Sequence, residues 1–216
     1  CKTKFFGFLD SDDYYCENTV EKFLDALHFI ENNSEICGVM ARRGKDEMSP
    51  IGSTNLPKGQ FIDNYDHLVK KYHFYGDTCR AYKTEVLLNH LYPEIKDKFI
   101  LEDVMLSAID QNYDLLVINE VFSISEYLED GYTRNCQALY RNNPLGYALG
   151  MSQLTVSKRG FLRKVKYTIL FSVWCWRNEV KDSFKIVKNK PLYILLYLVS
   201  RTMYRLKIPK FYFEDI

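Results

Sequence analysis

Residues 5–15 read FFGFLDSDDYY, an apolar run set directly against Asp10, Asp12 and Asp13 and followed by two tyrosines. The run has the composition of an interior strand, and the acids stand where that strand leaves its sheet. Two readings follow from the chemistry of these side chains. A strand exit needs polar residues, and Asp and Ser are good turn and helix N-cap residues. Alternatively, acids at a strand tip converge on one point and offer the hard oxygen ligands that a divalent cation prefers. The rest of the chain has to decide between them.

Working outward, residues 17–32 place Val20, Phe23, Leu24, Leu27 and Ile30 at helical spacing, with Asp12, Asp13 or Asn18 as N-cap candidates. This predicts a strand, acidic loop, helix unit. Residues 36–42 (ICGVMAR) read as a short strand, and residues 44–60, punctuated by Gly44, Pro50, Gly52, Pro57 and Gly59, as an irregular loop. A helix is expected over about 63–71, and residues 77–82 read as a strand or an extended entry to a helix over 84–91 closed by Pro93. Phe99 to Leu101 lead into Glu102 and Asp103, after which Val104, Leu106, Ala108 and Ile109 suggest a helix and residues 114–125 one or two strands. No internal repeat is present.

The chain has 216 residues, 47% of them hydrophobic and 15% aromatic, enough to bury a full core and far from a disordered composition. Cys1, Cys16, Cys37, Cys79, Cys136 and Cys175 form no CxxC pair and no close grouping with histidine. Neither a zinc site nor a disulfide framework is suggested, and a reducing, cytoplasmic setting is expected. The opening residues lack the regions of a signal peptide, and an interior-type strand so close to Cys1 suggests a truncated N-terminus.

The net charge of +1 conceals a division. Residues 1–157 hold 15 Lys and Arg against 24 Asp and Glu, whereas residues 158–216 hold 14 against 4, so the first part is near −9 and the tail near +10. Such asymmetry suits a metal-handling domain joined to a region that meets an anionic surface, or internal complementarity between the two parts. The expected organisation is a domain over 1–157 and a basic, aromatic helical tail over 158–216. Within the tail, residues 167–176 and 191–200 are apolar runs flanked by Lys and Arg, each about half the roughly 20 residues a spanning helix needs. They read either as helices docked on the domain or as interfacial helices, with Trp174 and Trp176 at headgroup level and lysines facing anionic lipid.

Three segments, LDSDD at 9–13, LED at 101–103 and SEYLEDGYTRN at 125–135, together resemble the family 2 glycosyltransferases, inverting enzymes of the GT-A fold. The resemblance covers roughly residues 4–150 and rests on the combination and order of the segments. It implies an α/β fold, a GT-A-like mixed sheet flanked by helices, N-terminally truncated and followed by the helical tail. Asp10 and Asp12 fall on the positions that hold Mn²⁺ or Mg²⁺ against the diphosphate of a nucleotide-sugar. Asp13 stands one residue beyond, able to touch the metal or the sugar or to cap the next helix. Asp103 falls on the position of the catalytic base and Glu102 on one that orients the acceptor or its loop. Arg134, with Asn135, follows the DGYT turn and matches diphosphate oxygens bidentately. Family members carry a βαβ portion ahead of the acidic strand that builds much of the nucleotide pocket, whereas only nine residues precede Asp10 here. The fragment alone is therefore expected to lack half of the crevice.

The implied partners are a nucleotide-diphospho-sugar, UDP-linked by preference, a glycan or lipid-linked acceptor, and an anionic membrane surface met by the tail at the inner face of the plasma membrane. A metal-dependent phosphohydrolase also gathers carboxylates at strand tips, but no DxDxT nucleophile signature or histidine-rich cluster is present. A non-catalytic module that binds a membrane surface or a partner is the other alternative. Nucleic acid is not expected, because no reader motif occurs and the positive charge is interleaved with apolar runs.

Overall fold

The computed structural model describes residues 1–53, 55–125 and 136–208. In chain order the elements are β1 (Phe5–Gly7), β2 (Tyr14–Tyr15), α1 (Thr19–Ile30), β3 (Ile36–Asp46), β4 (Ser49–Pro50), β5 (Gln60–Asp63), α2 (Tyr65–Lys71), β6 (Thr78–Lys83), α3 (Thr84–Leu88), α4 (Asp103–Ile109) and β7 (Asp114–Ile124). The helices α5 (Cys136–Asn142), α6 (Pro144–Leu154), α7 (Phe161–Arg177), α8 (Ser183–Ile186), α9 (Lys190–Leu195) and α10 (Tyr197–Arg205) follow. Two compact units interleave along the sequence: Cys1–Leu91 with Ile109–Leu128, and Tyr92–Ala108 with Glu129–Ile216.

The first unit is built on one mixed sheet of order β1-β6-β3-β7-β2, with β4 added to β3 and β5 to β7. The two long strands, β3 and β7, run parallel, and the other pairings are antiparallel. Alternation along β3 sorts its side chains between two layers. Val39 and Ala41 join Phe23, Ala26, Leu27 and Ile30 of α1 in a core completed by Cys79, Ala81, Leu116, Ile118 and Phe122. On the other side two buried arginines are set among apolar side chains that include Met40 and Val117. Arg42, 2% exposed, donates to Asn119 Oδ1 and to the carbonyls of Ile51 and Ser53, and lies 5.5 Å over the Phe74 ring. Arg80 stacks 4.2 Å over Tyr65, donates to Tyr82 and faces Asp110 at 3.6 Å.

Two sequence expectations change. The short strand over 36–42 continues to Asp46, because Gly44 admits close neighbours instead of breaking the strand: a Cβ there would strike the Asp46 carbonyl. Asp114–Ile124 form one long strand, the first of the two arrangements expected there. The run read as an interior strand pairs only with β6 among the described residues, leaving Phe6, Phe8 and Leu9 exposed at the sheet edge.

The second unit is helical. Ala148, Met151 and Leu154 of α6 pack with Phe171, Val173, Trp174 and Cys175 of α7, joined by Val187 and Tyr193. Trp174 is 4% exposed and donates its indole N–H to the Pro144 carbonyl, and Trp176 packs edge-on against Tyr197 and Tyr204. The run over 167–176 is therefore part of a packed helix of this unit, with Trp174 buried and Trp176 half-buried. Among the described residues, no helix is long and apolar enough to cross a membrane. The architecture is mixed α/β, a mixed sheet flanked by helices with a helical C-terminal region.

Candidate functional site

The acidic tip of the first unit is a turn and something more. The Asp13 amide donates to the Asp10 carbonyl at 3.1 Å, closing a four-residue turn as residues of this type favour. The helix-cap reading fails for Asp12 and Asp13, since the N-cap position of α1 is Asn18, in the left-handed region at φ 60° and without a side-chain cap. Beyond the turn, β2 pairs with the end of β7, Tyr14 opposite Ile124 and Tyr15 opposite Ser123, which carries Asp13 to the following residue of the β7 side. There Ser125 Oγ donates to Asp13 Oδ1 at 2.7 Å.

The extension of β3 supplies the cation. Arg43 Nη1 lies 2.8 Å from Asp10 Oδ2 and 3.1 Å from Asp13 Oδ2. Burial works against the Arg43 charge, but the hydrogen bond to Asp10 and the charges of Asp10 and Asp13 outweigh it and hold the guanidinium above its ordinary pKa. The three acids are thereby differentiated: the Asp13 side chain is 5% exposed, that of Asp10 is 60% exposed, and Asp12 points outward on the surface.

Among the described residues no group of three or more His, Cys, Asp or Glu is placed to hold a metal. The donor chemistry nevertheless fits Mn²⁺ or Mg²⁺, because such ions at nucleotide sites take one or two carboxylates and complete their shell with water and phosphate oxygens. Asp10 and Asp12 present exposed carboxylates, and Asp13 Oδ2 is a buried oxygen, ion-paired with Arg43, that accepts no hydrogen bond among the described residues.

Glu102 and Asp103 belong to the second unit, where Asp103 opens α4 and the Glu102 carbonyl accepts from the amides of Met105 and Leu106. The approach to them is pinned against α6. Asp97 Oδ2 accepts from the first amides of α6, those of Leu145 and Gly146, and Asn143 Oδ1 accepts from the amides of Lys98 and Phe99. Gly146 and Gly150, one turn apart, let the backbone of residues 99–101 lie on the helix, since a Cβ at Gly146 would strike the Phe99 carbonyl and one at Gly150 would lie 2.5 Å from Leu101 Cβ.

Around the acids stand Arg159, whose Nη2 is 3.7 Å from Asp103 Oδ1, and the phenols of Tyr92 and Tyr140. Burial first, then the Glu102 and Asp103 carboxylates, pushes Tyr92 up to about 12. Burial, with Cys136, Tyr147 and the same carboxylates, pushes Tyr140 up to about 12. Both phenols are therefore hydrogen-bond donors at neutral pH, beside carboxylates able to accept a proton.

Arg134 and Asn135 lie outside the described residues. Two of the histidines have local partners: His67 Nδ1 is 2.6 Å from Asp63 Oδ1, and His90 Nδ1 is 2.8 Å from the Val86 carbonyl. Sequence reasoning missed Arg43, Ser125 and Arg159 as neighbours of the candidate acids. The available signal for Arg43 was a pair of arginines at a strand end, which becomes informative only once that strand is known to continue beside the tip. Comparison of the chain with protein-family models, with curated proteins and with solved structures finds no match.

Proposed function

We propose that this chain carries the metal edge and acceptor side of an inverting, GT-A-type glycosyltransferase of family 2 character. In this reading it moves a sugar from a nucleotide-diphospho-sugar, UDP-linked by preference, to a glycan or lipid-linked acceptor during surface polysaccharide synthesis at the inner face of the plasma membrane. The observation that supports it best is the acidic tip after β1, where Asp10 and Asp13 are gathered on one cation within LDSDD, in a chain that also carries LED at 101–103.

Asp10 and Asp12 are the residues that would hold Mn²⁺ or Mg²⁺, and Asp13 braces the turn through Ser125 and Arg43. The ion, when bound, neutralises charge developing on the diphosphate leaving group. Asp103 takes the proton from the acceptor hydroxyl as that oxygen attacks the anomeric carbon from the face opposite the leaving group, so the product is inverted. Glu102 orients the acceptor, Arg159 steadies Asp103, and Arg134 pairs with the diphosphate.

The test is calorimetry of UDP and UDP-sugars on the intact natural protein containing this sequence, with and without Mn²⁺, beside Asp12→Ala and Asp103→Asn. Metal-dependent binding is expected to vanish in Asp12→Ala. It is expected to persist in Asp103→Asn while sugar transfer falls by about 10²–10⁴-fold, the usual contribution of a general base. No nucleotide binding in the unaltered protein would return the tip to turn chemistry, and an unimpaired Asp103→Asn would move the base elsewhere.

A further inference from the structure

The second apolar run of the tail is only half used by the fold. On α9 and α10, Leu192, Tyr193 and Ser200 are buried, and Tyr197 and Tyr204 pack on Trp176 of α7, where Arg201 also lies 5.2 Å over the indole ring. Among the described residues, the opposite side is apolar and uncovered. Ile194, Leu195, Leu198, Val199 and Leu206 recur at spacings of one, three or four residues and multiples of a turn, which sets them on one stripe across both helices. Leu195 is 73% exposed and Leu198 76%. A contiguous stripe of this kind marks an interaction surface, unlike singly scattered surface leucines.

Charge indicates what it meets. Residues 183–208 contain six Lys and Arg and no Asp or Glu. Lys188 and Lys190 at one end of the stripe and Arg205 and Lys207 at the other are exposed. Apolar residues flanked at both ends by cations, on helices too short to span a bilayer, form the pattern of an element lying in the plane of an anionic lipid surface. We propose that the α9–α10 stripe seats this protein on anionic lipid, with Ile194, Leu195, Leu198 and Val199 entering the headgroup boundary and Lys188, Lys190, Arg205 and Lys207 pairing with lipid phosphates. The inference rests on the membrane-face placement proposed above and not on the transfer chemistry. The run over 167–176 takes no part, because its side chains form the core of the second unit.

The experiment is co-sedimentation of the full chain with vesicles of phosphatidylcholine alone and of equal parts phosphatidylcholine and phosphatidylglycerol, beside Leu195→Gln/Leu198→Gln. Both residues are exposed, so the variant is expected to melt like the parent, and a thermal melt verifies that. The expected result is binding to anionic vesicles only, weakened by salt and reduced at least about tenfold in the variant. Equal binding of parent and variant, or no binding to either vesicle, would overturn the proposal. So would a concentration-dependent dimer in light scattering that the variant abolishes, since the stripe would then be an interface between copies. Lipid binding without nucleotide binding would leave this inference standing while the transferase reading fell.

Discussion

Asp12 and Asp13 are neighbours of the same type, and the fold gives them opposite employment. Asp13 is enclosed, accepting from Ser125 and facing Arg43, whereas Asp12 is exposed. Removing Asp13 strips a largely buried guanidinium of one of its two carboxylates and leaves Ser125 without its acceptor. Asp13→Ala is therefore expected to lower the unfolding free energy by about 1–3 kcal/mol, and Asp12→Ala to change it by less than about 0.5 kcal/mol, both read from urea midpoints. A destabilised Asp12→Ala would show that this acid is structural and would spoil it as a probe of the metal. The cluster of acids is legible in the sequence, but their division of labour is not. It depends on β2 pairing with the end of β7 and on β3 outrunning its apolar stretch, both of which are tertiary outcomes.

At the scale of elements, the pattern discloses α1 and α2 because each buries one face at helical spacing, and β3, β6 and β7 because each is a segment largely buried on both faces and set off by turn residues. It is silent over residues 136–157. There α6 buries Gly146, Gly150, Ser152 and Gln153 together with Ala148, Met151 and Leu154, so no apolar stripe emerges to be read. Yet α6 is the element that seats the Glu102–Asp103 approach, through Asn143, Gly146 and Gly150. Gly146→Ala should force residues 99–101 off the helix. The expected result is a loss of about 1–3 kcal/mol in stability, as for an overpacked core, with a fall in transfer rate exceeding any loss of nucleotide binding. A wild-type melt and rate in that variant would mean that the contact yields freely.

At the scale of the whole chain, acid groups held protonated by burial set an alkaline limit. Burial raises Cys37 and Cys175 from 9.0 to about 12, and raises Tyr92 and Tyr140 from 10.0 to about 12 with help from neighbouring groups. Each folded-state value lies above its unfolded value, so the stabilisation is complete below about pH 9 and is lost as pH rises toward about 12. The urea midpoint is expected to be insensitive to these groups near neutrality and to fall steadily above about pH 9, and a midpoint that held to about pH 11 would show that they are solvated. The division of charge at 157/158 is plain in the sequence, whereas the interleaving of the two compact units is not, because residues 92–108 carry no mark of belonging with helices that come later. Arg43 stands between Asp10 and Asp13 as a counter-ion carried on the chain itself. The repulsion that would otherwise force a bare acidic tip apart is already neutralised, so the tip takes its shape without waiting for an ion. Under the proposed function, loading by a divalent cation at Asp10 would be an exchange of one positive partner for another, and folding is expected to proceed without metal.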